Sequence, residues 1–194
     1  MNMNALSLRM SAVRAALRDW SSFRTPEIVA LQGSPLLGFA MAIHRPTAES
    51  ARPLVLLVAA NICLVAHIFL TNDWSDINKD LEDPNKVDWF FTAGWMSRND
   101  IARLMIVLLA LSLFLFSQLG GIPLCLAVAI AAASALYSLP QFHWKSKPIL
   151  SSVLHLVGGA FHFLLGYSVA SVIDGRAVVT ASFFALTFAA GHLT

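Results

Sequence analysis

Six mostly apolar stretches, 27–43, 53–71, 101–119, 121–138, 149–171 and 177–194, each run 17 to 23 residues. A hydrocarbon core about 30 Å thick needs roughly 17–25 such residues per helical crossing. The pattern therefore predicts an all-α, multi-pass transmembrane bundle of about six helices. Period-2 alternation with regular turns is missing, which argues against a β-barrel. Charged residues make up only 12% of the 194-residue chain and hydrophobic ones 57%, against about 25% charged in an ordinary soluble domain. A soluble fold and disorder are both excluded. The formal charge of +2 supplies no basic field for nucleic acid, so no such partner is expected. Cys63 and Cys125 fall inside apolar runs and read as small buried hydrophobes.

The connections differ in kind. Gly120-Gly121 and Asp174-Gly175 make very short turns, whereas 72–100 and 139–148 are longer and polar, the sort of segment on which function concentrates. With the N-terminus inside, Arg9, Arg14, Arg18, Arg24, Lys79, Lys86, Arg98, Arg103, Lys145 and Lys147 all lie inside, against Arg45, Arg52 and Arg176 outside. That asymmetry predicts a cell-membrane protein whose N-terminus and acidic loop are cytoplasmic. Residues 1–26 read as a unit separate from the membrane domain at 27–194. Leu6, Met10, Val13, Leu17 and Trp20 recur every three or four residues, with Arg14 and Arg18 to one side. This is the pattern of an amphipathic helix lying on membrane lipid. A start rich in Arg and Ser and poor in acids also fits an organellar transit peptide.

The second stretch runs straight into Asn72-Asp73-Trp74-Ser75-Asp76-Ile77-Asn78-Lys79-Asp80. From 72 to 88 there are six acids and two lysines, a density that is costly at the end of a membrane helix without a cation. If the helix continues, Asn72, Asp73, Asp76, Asp80 and Asp83 fall within about 100° of arc. Carboxylates and an amide carbonyl on one face suit a hard divalent ion. Mg²⁺ takes one or two carboxylates and keeps water or phosphate for the remaining positions. The chemical reading is a Mg²⁺-bridged phosphate or diphosphate; the bland one is a solvated acidic loop. An EF-hand fails because Leu81 stands where Gly is needed and Val87 where Glu is needed.

Asn72-x-x-x-Asp76-x-x-x-Asp80 after the second span resembles the first aspartate-rich motif of the UbiA superfamily of intramembrane prenyltransferases. Tyr137-Ser138-Leu139-Pro140-Gln141-Phe142-His143-Trp144-Lys145 resembles that family's Tyr-Ser-x-Pro-Pro-x-x-x-Lys loop, with Gln141 in place of the second Pro. The resemblance implies Mg²⁺-dependent transfer of an isoprenyl group from an allylic polyprenyl diphosphate to an aromatic or tetrapyrrole-like acceptor. It implies Asn72, Asp73, Asp76 and Asp80 as metal ligands, Asp76 and Asp80 being catalytic. Lys145 and Lys147 would hold diphosphate oxygens, with Tyr137 nearby. It runs from about residue 20 to the end and covers about the first two-thirds of a family member. A second aspartate-rich motif would follow Gly191-His192-Leu193-Thr194, so the domain is expected to be incomplete and inactive by itself. A non-catalytic remnant or partner subunit that binds lipid or diphosphate is the alternative.

Other residues carry two readings each. His155, Gly159, His162 and Gly166 share one helix face, for close packing or for lining an acceptor cavity. Trp89, Phe90, Phe91 and Trp95 suit interfacial anchoring or capping of a prenyl cation. His67 reads as a buried polar contact. Arg98 and Arg103 are explained by the inside bias, with phosphate contact as the sharper reading.

Overall fold

A computed structural model describes residues 24–43, 45–80, 82 and 97–192, the last five of these by backbone alone. Most of the expected N-terminal tail lies outside the described residues, as do Asp83, Asp88 and the aromatic cluster from Trp89 to Trp95. Regular structure among the described residues is entirely helical. The helices are α1 (Thr25–Ala30), α2 (Gly33–Ala42), α3 (Ala51–Asp80), α4 (Arg98–Ser117), α5 (Gly121–Ser138), α6 (Pro148–Ala170) and α7 (Gly175–His192). Single 3-10 turns stand at Ala48–Ser50 and Trp144–Ser146. Among the described residues, four helices, α3 to α6, are long and apolar enough to cross a membrane.

The stretch 27–43 departs from a single crossing and breaks into α1 and α2. Pro35 has no N–H to offer the Leu31 carbonyl one turn earlier, which weakens the helix at that point. The Gln32 amide fills part of the gap. Its Nε2 donates to the Ile28 carbonyl at 2.8 Å, and its Oε1 accepts from Asn61 Nδ2 of α3 at 2.9 Å. Gln32 and Asn61 are both buried, so the break is pinned inside the bundle.

Helix α3 positions the site. Its 30 residues span about 45 Å, longer than a hydrocarbon core of about 30 Å. The excess, about three turns, equals the polar C-terminal part of α3 that carries the acidic residues. Earlier in the helix, Leu57, Ala60 and Leu64 pack with Phe39, Phe116, Ala127, Ile130 and Leu165 in the main core. Ser112 of α4 donates to the Ala60 carbonyl at 2.9 Å, and His67 Nδ1 lies 3.0 Å from the Met105 carbonyl.

Helix α2 lies against α6 backbone to backbone. A Cβ on Gly38 would stand 2.0 Å from the Phe163 carbonyl oxygen, and one on Gly166 would stand 1.8 Å from that of Pro35. Only glycine permits this approach. At the turn into α5, Gly120 has φ +129°, a conformation closed to other residues at this cost. Asp174 opens α7 by accepting from the Ala177 amide at 2.7 Å. Cys125, expected inside, lies exposed on α5. An apolar run in a membrane helix faces lipid as readily as protein, so hydrophobicity alone does not place a side chain in the core.

Candidate functional site

Along the C-terminal turns of α3, Asn72, Asp76 and Asp80 advance about 40° per step of four residues. One face thus carries an amide and two carboxylates. The unbroken helix to Asp80 is what the four-residue spacing requires. Asp80 is buried at 8% exposure, while Glu82 is exposed beyond the helix.

The 137–145 segment meets this face. Leu139 ends α5, and its carbonyl accepts from the amides of Phe142 at 3.0 Å and His143 at 2.8 Å. His143 takes a left-handed conformation, φ 46°, and turns the chain into the Trp144–Ser146 3-10 turn. Lys145 is thereby carried back onto α3. Its Nζ donates to Asn72 Oδ1 at 3.0 Å and to Asp76 Oδ2 in an ion pair. The side chains are 13% and 19% exposed for Lys145 and Asp76, so the pair is largely withdrawn from solvent. Ser138 Oγ donates to the same Asn72 oxygen at 3.4 Å, and Ser75 Oγ donates to the Ser138 carbonyl. Two segments more than sixty residues apart are locked together through one amide and one carboxylate.

The Lys145 ammonium is a cation standing where Asn72 and Asp76 converge. An amide carbonyl and a carboxylate one turn apart suit Mg²⁺, which fills its remaining positions with water or phosphate. Among the described residues, no group of three or more His, Cys, Asp or Glu is gathered for a metal. The lysine instead gathers one amide oxygen and one carboxylate oxygen, from Asn72 and Asp76.

Not every expected residue joins it. Asp73 turns to α1, where Arg24 Nη2 pairs with its Oδ1 at 2.9 Å. Lys147 is exposed, at the start of α6. Tyr137 directs its ring at His155 on α6, edge-on, with centroids 5.2 Å apart and planes at 69°. His162 Nδ1 lies 2.8 Å from the carbonyl of Gly158, one turn back on its own helix. Arg98 stacks over Trp74, its guanidinium carbon 4.5 Å from the ring centroid, and Arg103 pairs with Asp100 at 3.2 Å in the open. Ser75 and Arg24 carry no signal in the sequence that distinguishes them from a loop serine and a membrane-flanking arginine.

The family model described as the UbiA prenyltransferase family matches residues 34–194. The chain belongs to this family. Among curated proteins none matches the sequence. Two solved structures of a UbiA homolog from Archaeoglobus fulgidus, one bound to DMAPP and Mg²⁺ and one to GPP and Mg²⁺, share its fold. Each has a TM-score of 0.76 at 19% identity and covers 88% of this chain. The chain spans 61% and 60% of their lengths. As a UbiA-family membrane protein, it presents the acidic motif and the lysine loop at the same end of the bundle.

Proposed function

We propose that the chain supplies the first aspartate-rich half of a membrane prenyltransferase site, for transfer of an isoprenyl group from an allylic diphosphate to an aromatic or related acceptor. One observation carries this reading: Lys145 reaches across from the 137–145 loop to Asn72 and Asp76. A carboxylate, an amide oxygen and a lysine in one cluster fit a ligand that brings both metal and anionic oxygen. The family membership, and the Mg²⁺ and prenyl diphosphates in the archaeal structures, support it.

Asn72, Asp76 and Asp80 would hold the ion. Bound Mg²⁺ would neutralise charge on the departing diphosphate. Lys145 would release Asn72 and Asp76 and donate to diphosphate oxygens, a charge-assisted bond stronger where water is thinned out. Ser138 donates to the Asn72 amide oxygen and Ser75 to the Ser138 carbonyl, which ties the end of α5 to α3 beside the lysine. The isoprenoid tail would lie along the bundle, in contact with apolar side chains and membrane lipid, where water does not quench a developing allylic cation. We place this face, with the segment before α1, on the cytoplasmic side.

Radiolabelled geranyl diphosphate is to be offered in membranes with a panel of aromatic acceptors, using the 194-residue chain alone and with a family-type C-terminal segment co-expressed. Label transfer in either arm supports the enzyme. Diphosphate binding without transfer in both arms assigns a binding role only.

A further inference from the structure

Helix α1 buries none of its six residues, yet it is held against the bundle at both ends. Its far end is tied by Gln32, which bonds Ile28 and Asn61. Its near end is tied by Arg24. That residue adopts a left-handed backbone, φ 52° and ψ 31°, which a non-glycine side chain takes only when its surroundings hold it there. Its guanidinium carbon lies 5.3 Å from the Phe69 ring centroid, and Nη2 pairs with Asp73 Oδ1 at 2.9 Å. Phe69 and Asp73 are one turn apart on α3, so a single arginine grips two successive turns just below the acidic face. Arg24 also supplies the carbonyl that accepts the Ile28 amide at 3.0 Å, which couples its position to the first turn of α1.

We propose that the Arg24–Asp73 ion pair is a latch that seats α1 on the acidic end of α3, and that Asp73 serves this latch and not the metal. The assignment of a metal to the neighbouring residues rests on the functional reading above; the latch does not. Asp73 is 6% exposed and already meets a full cation, whereas its neighbour Asn72 shares the Lys145 ammonium with Asp76. Two cations thus divide the oxygens of Asn72, Asp73 and Asp76 into two sets, one facing α1 and one facing the 137–145 loop. The Phe69 ring holds the Arg24 guanidinium at a second point, so giving Asp73 to a hydrated ion would cost both contacts, while the Lys145 ammonium is a compact point charge that can pass from its α3 oxygens to phosphate.

Two readouts on the 194-residue chain in lipid nanodiscs test this: hydrogen exchange of the Ile28 and Leu31 amides, and Mn²⁺ binding by electron paramagnetic resonance. Asp73→Asn and Arg24→Gln should each speed exchange in α1 about tenfold, with α6 unchanged as the control for folding. The double reversal Arg24→Asp with Asp73→Arg should restore slow exchange. Asp73→Asn should leave the Mn²⁺ midpoint within about twofold, while Asp76→Ala moves it about tenfold. Unchanged α1 exchange in the single variants, or a reversal that restores nothing, overturns the latch. A loss of Mn²⁺ affinity in Asp73→Asn equal to that in Asp76→Ala overturns its separation from the metal. Mn²⁺ binding indifferent to Asp76→Ala strikes the functional reading instead, and leaves the latch to be judged by exchange.

Discussion

The Lys145 ammonium gives the site two opposed responses to its own removal. In Lys145→Met the Asn72 and Asp76 oxygens lose a competitor for the ion, so Mg²⁺ affinity in the absence of diphosphate should rise. The same change removes a charged donor for phosphate, so Mg²⁺-dependent affinity for geranyl diphosphate should fall by about tenfold or more. Titration calorimetry on both ligands separates the two. Glu82→Ala should change either affinity by less than about twofold, because an exposed charge past the helix end is screened. The Asn-x-x-x-Asp-x-x-x-Asp stripe is legible in the sequence because helical spacing alone puts those residues on one face. Lys145 is legible only through its loop's resemblance to the family, since a 73-residue separation from Asn72 leaves no periodicity to read. Arg24 is illegible as a functional residue: beside an apolar stretch any arginine satisfies the inside bias, and nothing local names Asp73 as its partner.

At the scale of elements, the contact between α2 and α6 decides where the broken first stretch sits. Gly166→Ala and Gly38→Ala should each destabilise the bundle by about 1–3 kcal/mol, because backbone carbonyls cannot yield to the added methyl. Gly158→Ala is the internal control: nothing lies within 4 Å of its added Cβ, and stability should hold or rise slightly with the better helix former. Thermal unfolding in one detergent reads all three. The His/Gly spacing on α6 makes this packing face legible, and Gly166 is found there against Pro35. The break between α1 and α2 is harder to read. Pro35 and Gln32 announce an interruption, but a tilted, kinked crossing and two separate short helices share that composition. The deciding partner, Asn61, lies on another helix.

Among the described residues, one end of the bundle carries the acidic motif and the lysine loop, and the other carries the turns at Gly120 and Asp174. With the basic end inside, replacements of Ser97 and Ser146 by Cys, in a background without Cys63 and Cys125, should resist impermeant thiol reagents in intact cells. A Cys at Ala48 should react. The reverse pattern would contradict the orientation, and mixed labelling of Ser97 and Ser146 would contradict their shared side. The four long spans, α3 to α6, are legible from hydropathy, whereas the broken first stretch is not; nor is which flank of each helix meets protein, as exposed Cys125 shows, because lipid and core reward the same side chains. A metal-dependent diphosphate site formed by Asn72, Asp76 and Lys145 is read out by equilibrium binding of geranyl diphosphate to the chain in nanodiscs, with and without Mg²⁺. Binding should saturate, require Mg²⁺ and weaken about tenfold or more in both Asp76→Ala and Lys145→Met. Binding that ignores Mg²⁺, or that survives both substitutions unchanged, would contradict it.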